Sequence, residues 1–291
     1  MLDIEILPRK MWPEGLLNIP YVPKKLWVKG LSNFQRLLDE NYKFLTIVGS
    51  RNLTDYGEEA CKKLISGLSG YKICIVSGLA YGIDSLAHRV AIENAIPTIA
   101  FPGSGLHDSV IYPKGNFELA QNILDSGGVL ISEFHSHQEA RPWMFPQRNR
   151  LMVGISHATL IIEAGEKSGS GISANMAVEY DRELLVVPGS IFNHNSEMCN
   201  RLIKSGANVV TDSFDILQNL HFKLSSDSKD FQTDLYQNSN YAKNNLNGLE
   251  AAVLKYIQNG LNDKEEILKK MNISISKLNR IISKLEIFGL L

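Results

Sequence analysis

Short apolar runs rich in β-branched residues alternate with longer segments of helical periodicity from about residue 42 to 222. No other feature restricts the fold as strongly. The strand-like runs are Phe44–Val48, Ile73–Val76, Thr98–Phe101, Val129–Ser132, Thr159–Ile162 and Leu184–Val187, with a last one at Ala207–Val210. Helical patterns fill the intervals at Tyr56–Leu68, Asp84–Asn94, Asn116–Leu124, Asn149–Ile155, Ile172–Asp181 and Glu197–Lys204. Runs without a polar face suit strands buried on both sides. Strand–helix alternation lays such strands parallel, with crossover helices on both faces. The expected fold class is therefore α/β, with a doubly wound parallel sheet. Ligands of such sheets sit beyond the C-terminal ends of the strands, where the strand order reverses.

The loops that follow the strands share a composition. Thr46-Ile47-Val48 ends in Gly49-Ser50-Arg51 just before a helical pattern begins. A strand that turns through glycine into a helix presents backbone N–H groups at the sheet edge, and these suit an anion. Arg51 adds a permanent cation whose fork of donors matches phosphate. Alone, these residues also fit an ordinary strand–turn–helix corner with a surface arginine. The second run leads into Ser77-Gly78-Leu79-Ala80-Tyr81-Gly82-Ile83-Asp84, where Asp84 is placed to cap a helix. Pro102-Gly103-Ser104-Gly105 and Tyr112-Pro113-Lys114-Gly115-Asn116 follow the third run. Glu163-Ala164-Gly165-Glu166-Lys167-Ser168-Gly169-Ser170-Gly171 follows the fifth. Repeated along one edge, such loops make a surface of backbone donors and small hydroxyls that suits phosphates. Neither G-x-x-x-x-G-K-[ST] nor G-x-G-x-x-G stands in the required place, so no nucleotide cofactor is expected.

The segment Arg141-Pro142-Trp143-Met144-Phe145-Pro146-Gln147-Arg148-Asn149-Arg150 holds three arginines, two aromatics and no acid. Rings interleaved with cations suit a single-stranded nucleic acid, with π-faces for bases and charge for phosphates. Trp143 and Phe145 equally fit a cap on the core, with the arginines solvated or ion-paired.

Across 291 residues the formal net charge is −1, so a polyanion would have to be met by a local patch. No apolar run approaches the ~18–20 residues that span a bilayer, and no membrane association is expected. Asp3 and Glu5 are unlike the start of a signal peptide. Cys61, Cys74 and Cys199 are odd in number and lack metal-ligand spacing, which points to a reduced, cytoplasmic protein. His135 and His137 lie two apart without a third ligand in view, and no metal is expected. A G-x-S-x-G nucleophile elbow is missing too.

Four regions follow. Residues 1–41, broken by Pro8, Pro13, Pro20 and Pro23, form a short N-terminal segment in which only Leu31–Glu40 looks helical. Residues 42–222 form the main domain, and 223–246, rich in Ser, Asn, Asp, Gln and Lys, read as a flexible linker. Residues 247–291 contain amphipathic patterns at Leu249–Gln258, Lys264–Met271 and Ser276–Glu286. They suggest a small helical domain of winged-helix type. Its charges nearly balance, so contact with a protein or a second copy fits it as well as DNA does.

Gly49-Ser50-Arg51, Ser77-Gly78-Leu79-Ala80 through Gly82-Ile83-Asp84, Gly103-Ser104-Gly105 with Tyr112-Pro113 and Asn116, Phe145-Pro146 with Arg148-Asn149-Arg150, Glu163-Ala164 with Lys167-Ser168-Gly169-Ser170, and Val187-Pro188-Gly189 occur in one order along the chain. In that order they resemble the DprA/Smf family of DNA-processing proteins, strongly so over roughly 42–210. The resemblance implies an extended Rossmann-like, mostly parallel sheet that binds single-stranded DNA without sequence preference and forms a homodimer. It further implies protection of incoming DNA in natural transformation and loading of a RecA-type recombinase, with no catalytic chemistry of its own. It makes Arg51 a principal phosphate contact and the glycine-rich loops its pocket. The expected DNA-binding residues are Gly49, Ser50, Arg51, Gly78, Gly103, Ser104, Gly105, Asn116, Phe145, Asn149, Arg150, Ser168, Gly169 and Ser170. Lys114, Arg148 and Lys167 join them on charge and position. The chain departs from the family pattern at His135 (usually proline), Gln147 (commonly arginine), Gly171 and Ser173 (leucine and threonine) and Met198 (glycine).

The rival reading is a Rossmann-like phosphoribohydrolase that cleaves nucleoside monophosphates, whose signature is P-G-G-x-G-T-x-x-E. Residues Ser168 to Asn175, and on to Glu179, keep helix-opening glycines but lack the Pro-Gly-Gly-x-Gly-Thr core.

Overall fold

The computed structural model describes residues 3–166 and 168–222, and beyond them only positions between 253 and 287. The chain divides into two compact units, Met1–Phe222 and Lys223–Leu291.

A nine-stranded sheet forms the first unit, in the order β1-β2-β6-β5-β4-β3-β7-β8-β9. Its strands are β1 Ile4–Ile6, β2 Trp27–Lys29, β3 Lys43–Val48, β4 Ile73–Ser77, β5 Thr98–Ala100, β6 Val129–Ser132, β7 Ala158–Ile161, β8 Glu183–Val186 and β9 Asn208–Val209. From β6 to β9 every pairing is parallel. Chain order runs outward from β3 through β4 and β5 to β6, then returns to β7 on the other side of β3. The reversal point therefore lies between β3 and β7.

Apolar runs without a polar face have the burial they call for. Ile99 and Phe101 join Val129 and Ile131 in one core, while Ala100 and Leu130, offset by one residue, join the core on the opposite face. That is the two-residue period of a strand covered on both sides. Helices α1 (Glu14–Leu17), α2 (Leu31–Asp39), α3 (Asp55–Ser66), α4 (Ile83–Glu93), α5 (Phe117–Asp125), α6 (Met144–Ile155), α7 (Ser170–Glu179), α8 (Glu197–Lys204) and α9 (Ser213–Asn219) supply the cover. Helix α4 packs between α3 and α5, and α6 packs against α7 and α1.

The sequence reading needs four changes. The N-terminal segment extends the sheet: β1 pairs with β2, and β2 with β6, both antiparallel, with Trp27 opposite Ser132. Helix α6 begins at Met144 and not at Asn149. Pro146 is its third residue, in the first turn, where the missing N–H had no intrahelical partner to lose. Asp84 does not cap α4: Gly82 does, at φ 77°, and Asp84 lies inside the first turn. The last helix of the first unit, α9, went unread; it opens on a reciprocal capping box between Asp212 and Asp215.

In the second unit a helix spans Ile275–Ile287, close to the third expected pattern. Leu278, Ile281 and Leu285 bury one face of it with Val253, Leu254 and Ile267. The linker 223–246 and most of the two earlier helical patterns lie outside the described residues.

Candidate nucleic-acid interface

A cleft of about 850 Å³ opens over the reversal point. Three chain turns build it. The first is Gly49-Ser50-Arg51 at the end of β3. It is fixed from outside by the next loop: Ile83 N donates to Ser50 O at 3.1 Å. A Cβ on Gly82 would lie 2.2 Å from that same carbonyl oxygen, so a residue without a side chain is required there. Within the turn, Ser50 Oγ donates to Asn52 O at 2.8 Å.

The second wall is the start of α7. Ser170 Oγ donates to Gly49 O at 3.0 Å and ties this helix to the end of β3. Ser168 Oγ accepts from Ser170 N at 3.2 Å. Ser168, Gly169 and Ser170 thus present small polar groups at a helix N-terminus that faces the cleft.

The third wall is the first turn of α6, whose early start changes what faces the cleft. Phe145, Arg148 and Asn149 stand three and four residues apart on one side of that helix, and all three line the cleft. The half-buried Phe145 ring lies on Gly103, where an added Cβ would come within 2.4 Å of it. Exposed Arg51 reaches across with its guanidinium carbon 5.6 Å from the centre of that ring. A cation over an aromatic face is a favourable contact that leaves the remaining donors of the fork open.

Beneath the cleft lies a buried pair. Arg148 is 4% exposed; Nη1 donates to Phe101 O at 2.7 Å and stands 4.0 Å from Asp84 Oδ2. Asp84 Oδ2 also accepts from Gly78 N at 3.1 Å. Burial raises the Asp84 carboxyl above the usual range, against the pull of Arg148 and of backbone donors. Burial likewise lowers Arg148 to about 10, with Asp84 opposing. A Cβ on Gly78 would overlap the Arg148 guanidinium, at 1.4 Å from Nη1.

Several residues expected to meet DNA face inward and hold the loops. Asn116 is buried and its Nδ2 donates to Leu79 O at 2.8 Å. Ser104 is buried, and its carbonyl accepts from Ser132 Oγ at 2.7 Å. Gly105 N donates to Gln138 O at 2.8 Å. Arg150 ion-pairs with Glu133 and donates to Tyr21 O at 2.6 Å, fastening the N-terminal segment to α6. Lys114 is exposed on the loop after β5, and Lys167 lies outside the described residues.

The sequence reading missed two aromatic residues near this edge. Tyr112 stands with its ring centre 5.6 Å from that of Phe145. Tyr81 leans over Gly115. A third histidine also appears: His107 stacks on His137 at 4.1 Å, with His135 6.3 Å from His137. Among the described residues, no group of three or more His, Cys, Asp or Glu is placed to hold a metal ion. Nor is any described helix long and apolar enough to cross a membrane.

Comparison with known proteins agrees with this architecture. Residues 4–221 match the model of the family described as DNA recombination-mediator protein A. The chain is 41% identical to Protein Smf of Escherichia coli over 180 residues, which cover 62% of this chain and 48% of that protein. It is 38% identical to the DNA processing protein DprA of Streptococcus pneumoniae, over 61% of this chain and 62% of that one. The matches thus span about half to three-fifths of these curated relatives. The crystal structure of the S. pneumoniae protein superposes with a TM-score of 0.68 at 34% identity, covering 76% of this chain and 75% of that one. DNA processing protein A of Helicobacter pylori, described for its single-stranded DNA binding mode, gives 0.66 at 28% identity, with 75% and 96% covered. The strand order that reverses at β3 and β7, the loops at that edge and these matches have one conclusion: the chain belongs to the DNA recombination-mediator protein A (DprA/Smf) family.

Proposed function

We propose that this chain binds single-stranded DNA without sequence preference in the cleft over β3 and β7, and does no chemistry on it. The observation that supports this most is Arg51 laid over the ring of Phe145 at the cleft mouth. A strand entering there meets a π-face and a cation together, beside the small polar groups of Ser168, Gly169 and Ser170. Arg51 serves as the principal phosphate contact. Gly49, Ser50 and Asn149 complete the wall, with Lys114 as a cation at the loop after β5. Arg148 acts from below by holding Gly78, Asp84 and the Phe101 carbonyl in place. The single-stranded DNA binding described for the H. pylori relative supports the same reading.

By family likeness, the bound strand is incoming DNA that is protected and passed to a RecA-type recombinase by a cytoplasmic homodimer. The phosphoribohydrolase reading finds no support in the cleft: Glu179, the carboxylate it needs, is the last residue of α7, at the end away from the cleft. Mobility shift of labelled oligo-dT against a duplex of equal length, across a salt series, tests the proposal. The single strand should bind more tightly, with affinity falling as salt rises. Equal or stronger binding of the duplex, or release of base from a nucleoside monophosphate, would contradict it.

A further inference from the structure

The cleft uses Arg51 and Phe145 and leaves the exposed rings beside them without a role. Tyr112, 45% exposed, stands on the loop after β5 with its ring centre 5.6 Å from that of Phe145 and tilted 45° to it. Tyr81, 51% exposed, belongs to the loop after β4 and lies over the Gly115 backbone, where an added Cβ would sit 2.8 Å from its hydroxyl oxygen. Buried Asn116 joins the two loops, donating to Leu79 O at 2.8 Å and to Ala80 O at 3.3 Å. The rings are therefore held by a built framework, although each shows about half of its surface to solvent. Tyrosine offers a large flat face with few torsions to freeze, which suits it to a passing base.

Charge favours this side of the cleft. On the β7 and β8 side, Glu166 and Glu197 line the cleft. They are partnered, by Arg201 at 3.4 Å and His194 at 2.6 Å, yet they still set acceptor oxygens where a phosphodiester would pass. On the β5 side Lys114 is exposed two residues from Tyr112, and Arg51 lies over the Phe145 ring that Tyr112 meets.

We infer that Tyr112 and Tyr81 form a second base-stacking station, which takes an unpaired nucleobase of the same strand whose phosphate meets Arg51. The strand then leaves the cleft over the loop after β5, and not over the loop after β8. This rests on the cleft being a single-strand site. A paired base cannot use the station, because its faces are already covered within the duplex.

The test uses the full chain and a length series of oligo-dT, with Tyr112→Leu, Tyr112→Phe and Arg51→Ala beside the unaltered protein. On long oligonucleotides Tyr112→Leu should weaken binding about five- to a hundredfold, the range of one lost base stack. That loss should shrink as the strand is shortened to fill the cleft alone, and Tyr112→Phe should restore most of it. Arg51→Ala should weaken every length. In parallel, oligonucleotides carrying one iodouracil at stepped positions are photocrosslinked to the unaltered protein, and the modified residues are mapped. Crosslinks at Tyr112 or Tyr81 support the station even where a variant fails to fold. Tyr112→Leu binding like the unaltered protein, or crosslinks at Phe192 on the loop after β8, would overturn it. If the unaltered protein binds no oligonucleotide of any length, the cleft reading itself falls, a result distinct from loss of the station alone.

Discussion

Arg148 and Asp84 face each other at 4.0 Å beneath the cleft, and both are almost wholly withdrawn from water. One comes from the first turns of α6 and the other from the first turn of α4, 64 positions earlier in the chain, so the pair ties the α6 wall to the helix start that fixes the Gly49-Ser50-Arg51 turn. Removing one member leaves the other charge unpaired in a dry place, which costs about 3–5 kcal/mol. Arg148→Met should therefore lower stability by that order, in chemical unfolding, before any effect on DNA is considered. Combining it with Asp84→Asn should recover a good part of the loss, since no lone charge remains. An Arg148→Met protein of unaltered stability that lost only DNA affinity would show the arginine acting on DNA directly.

Acid should unfold the first unit through His88. This residue is fully buried on α4, with Nδ1 2.7 Å from Thr98 Oγ1, whose own proton goes to Ile75 O. Burial above all, then the charges of Arg148 and Arg89, lower it from 6.5 to about 3. The unfolded chain takes up this proton near 6.5, while the folded chain refuses it until about 3. Stability is thus full above 6.5 and falls with acid across that window, at up to about 1.4 kcal/mol per pH unit. His88→Met, which cannot titrate, should make the acid limb shallower by one proton in urea titrations at stepped pH. An unchanged slope would mean that other groups set the limb.

The parts of this fold that declare themselves locally could be read. β-Branched runs mark β3 to β8 to within a residue or so, and α8 has the bounds its periodicity gives. β1 and β2 were not legible: each is three residues long amid prolines, and what makes them strands is distant pairing, of β2 with β6 far along the chain and of β1 with β2. The site shows the same division. Gly49-Ser50-Arg51 reads as a turn at a sheet edge because strand and helix flank it directly. Arg148 and Asn116 offer a charge and an amide that look available, and only tertiary structure shows them turned inward to Asp84, Phe101 and Leu79. The pairing of Tyr112 with Phe145 gave no signal, because the second ring stands on α6, far along the chain.

The division at Phe222 makes a fragment test direct. A chain ending at Phe222 should fold cooperatively and retain most of the single-strand affinity, since every wall of the cleft lies before that point. Circular dichroism melts and oligo-dT titration of the fragment beside the full chain will show it. A hundredfold fall in affinity with an intact melt would place a DNA contact in residues 223–291.

The central claim is that Arg51 meets phosphate at the cleft mouth, and titration of oligo-dT at several salt concentrations tests it most directly. Loss of a charge-assisted bond to phosphate costs about 1.5–3 kcal/mol, so Arg51→Ala should weaken binding roughly ten- to a hundredfold. Arg51→Glu should weaken it further. The loss should be alike for all sequences, and the salt slope should flatten by about 0.7, the value for one phosphate on a single strand. Melting temperature should scarcely move, because the side chain is exposed and leans on the half-buried Phe145 ring. Unchanged affinity and slope in Arg51→Glu, or a loss matched by unfolding, would contradict the account and leave Gly49-Ser50-Arg51 as a structural corner.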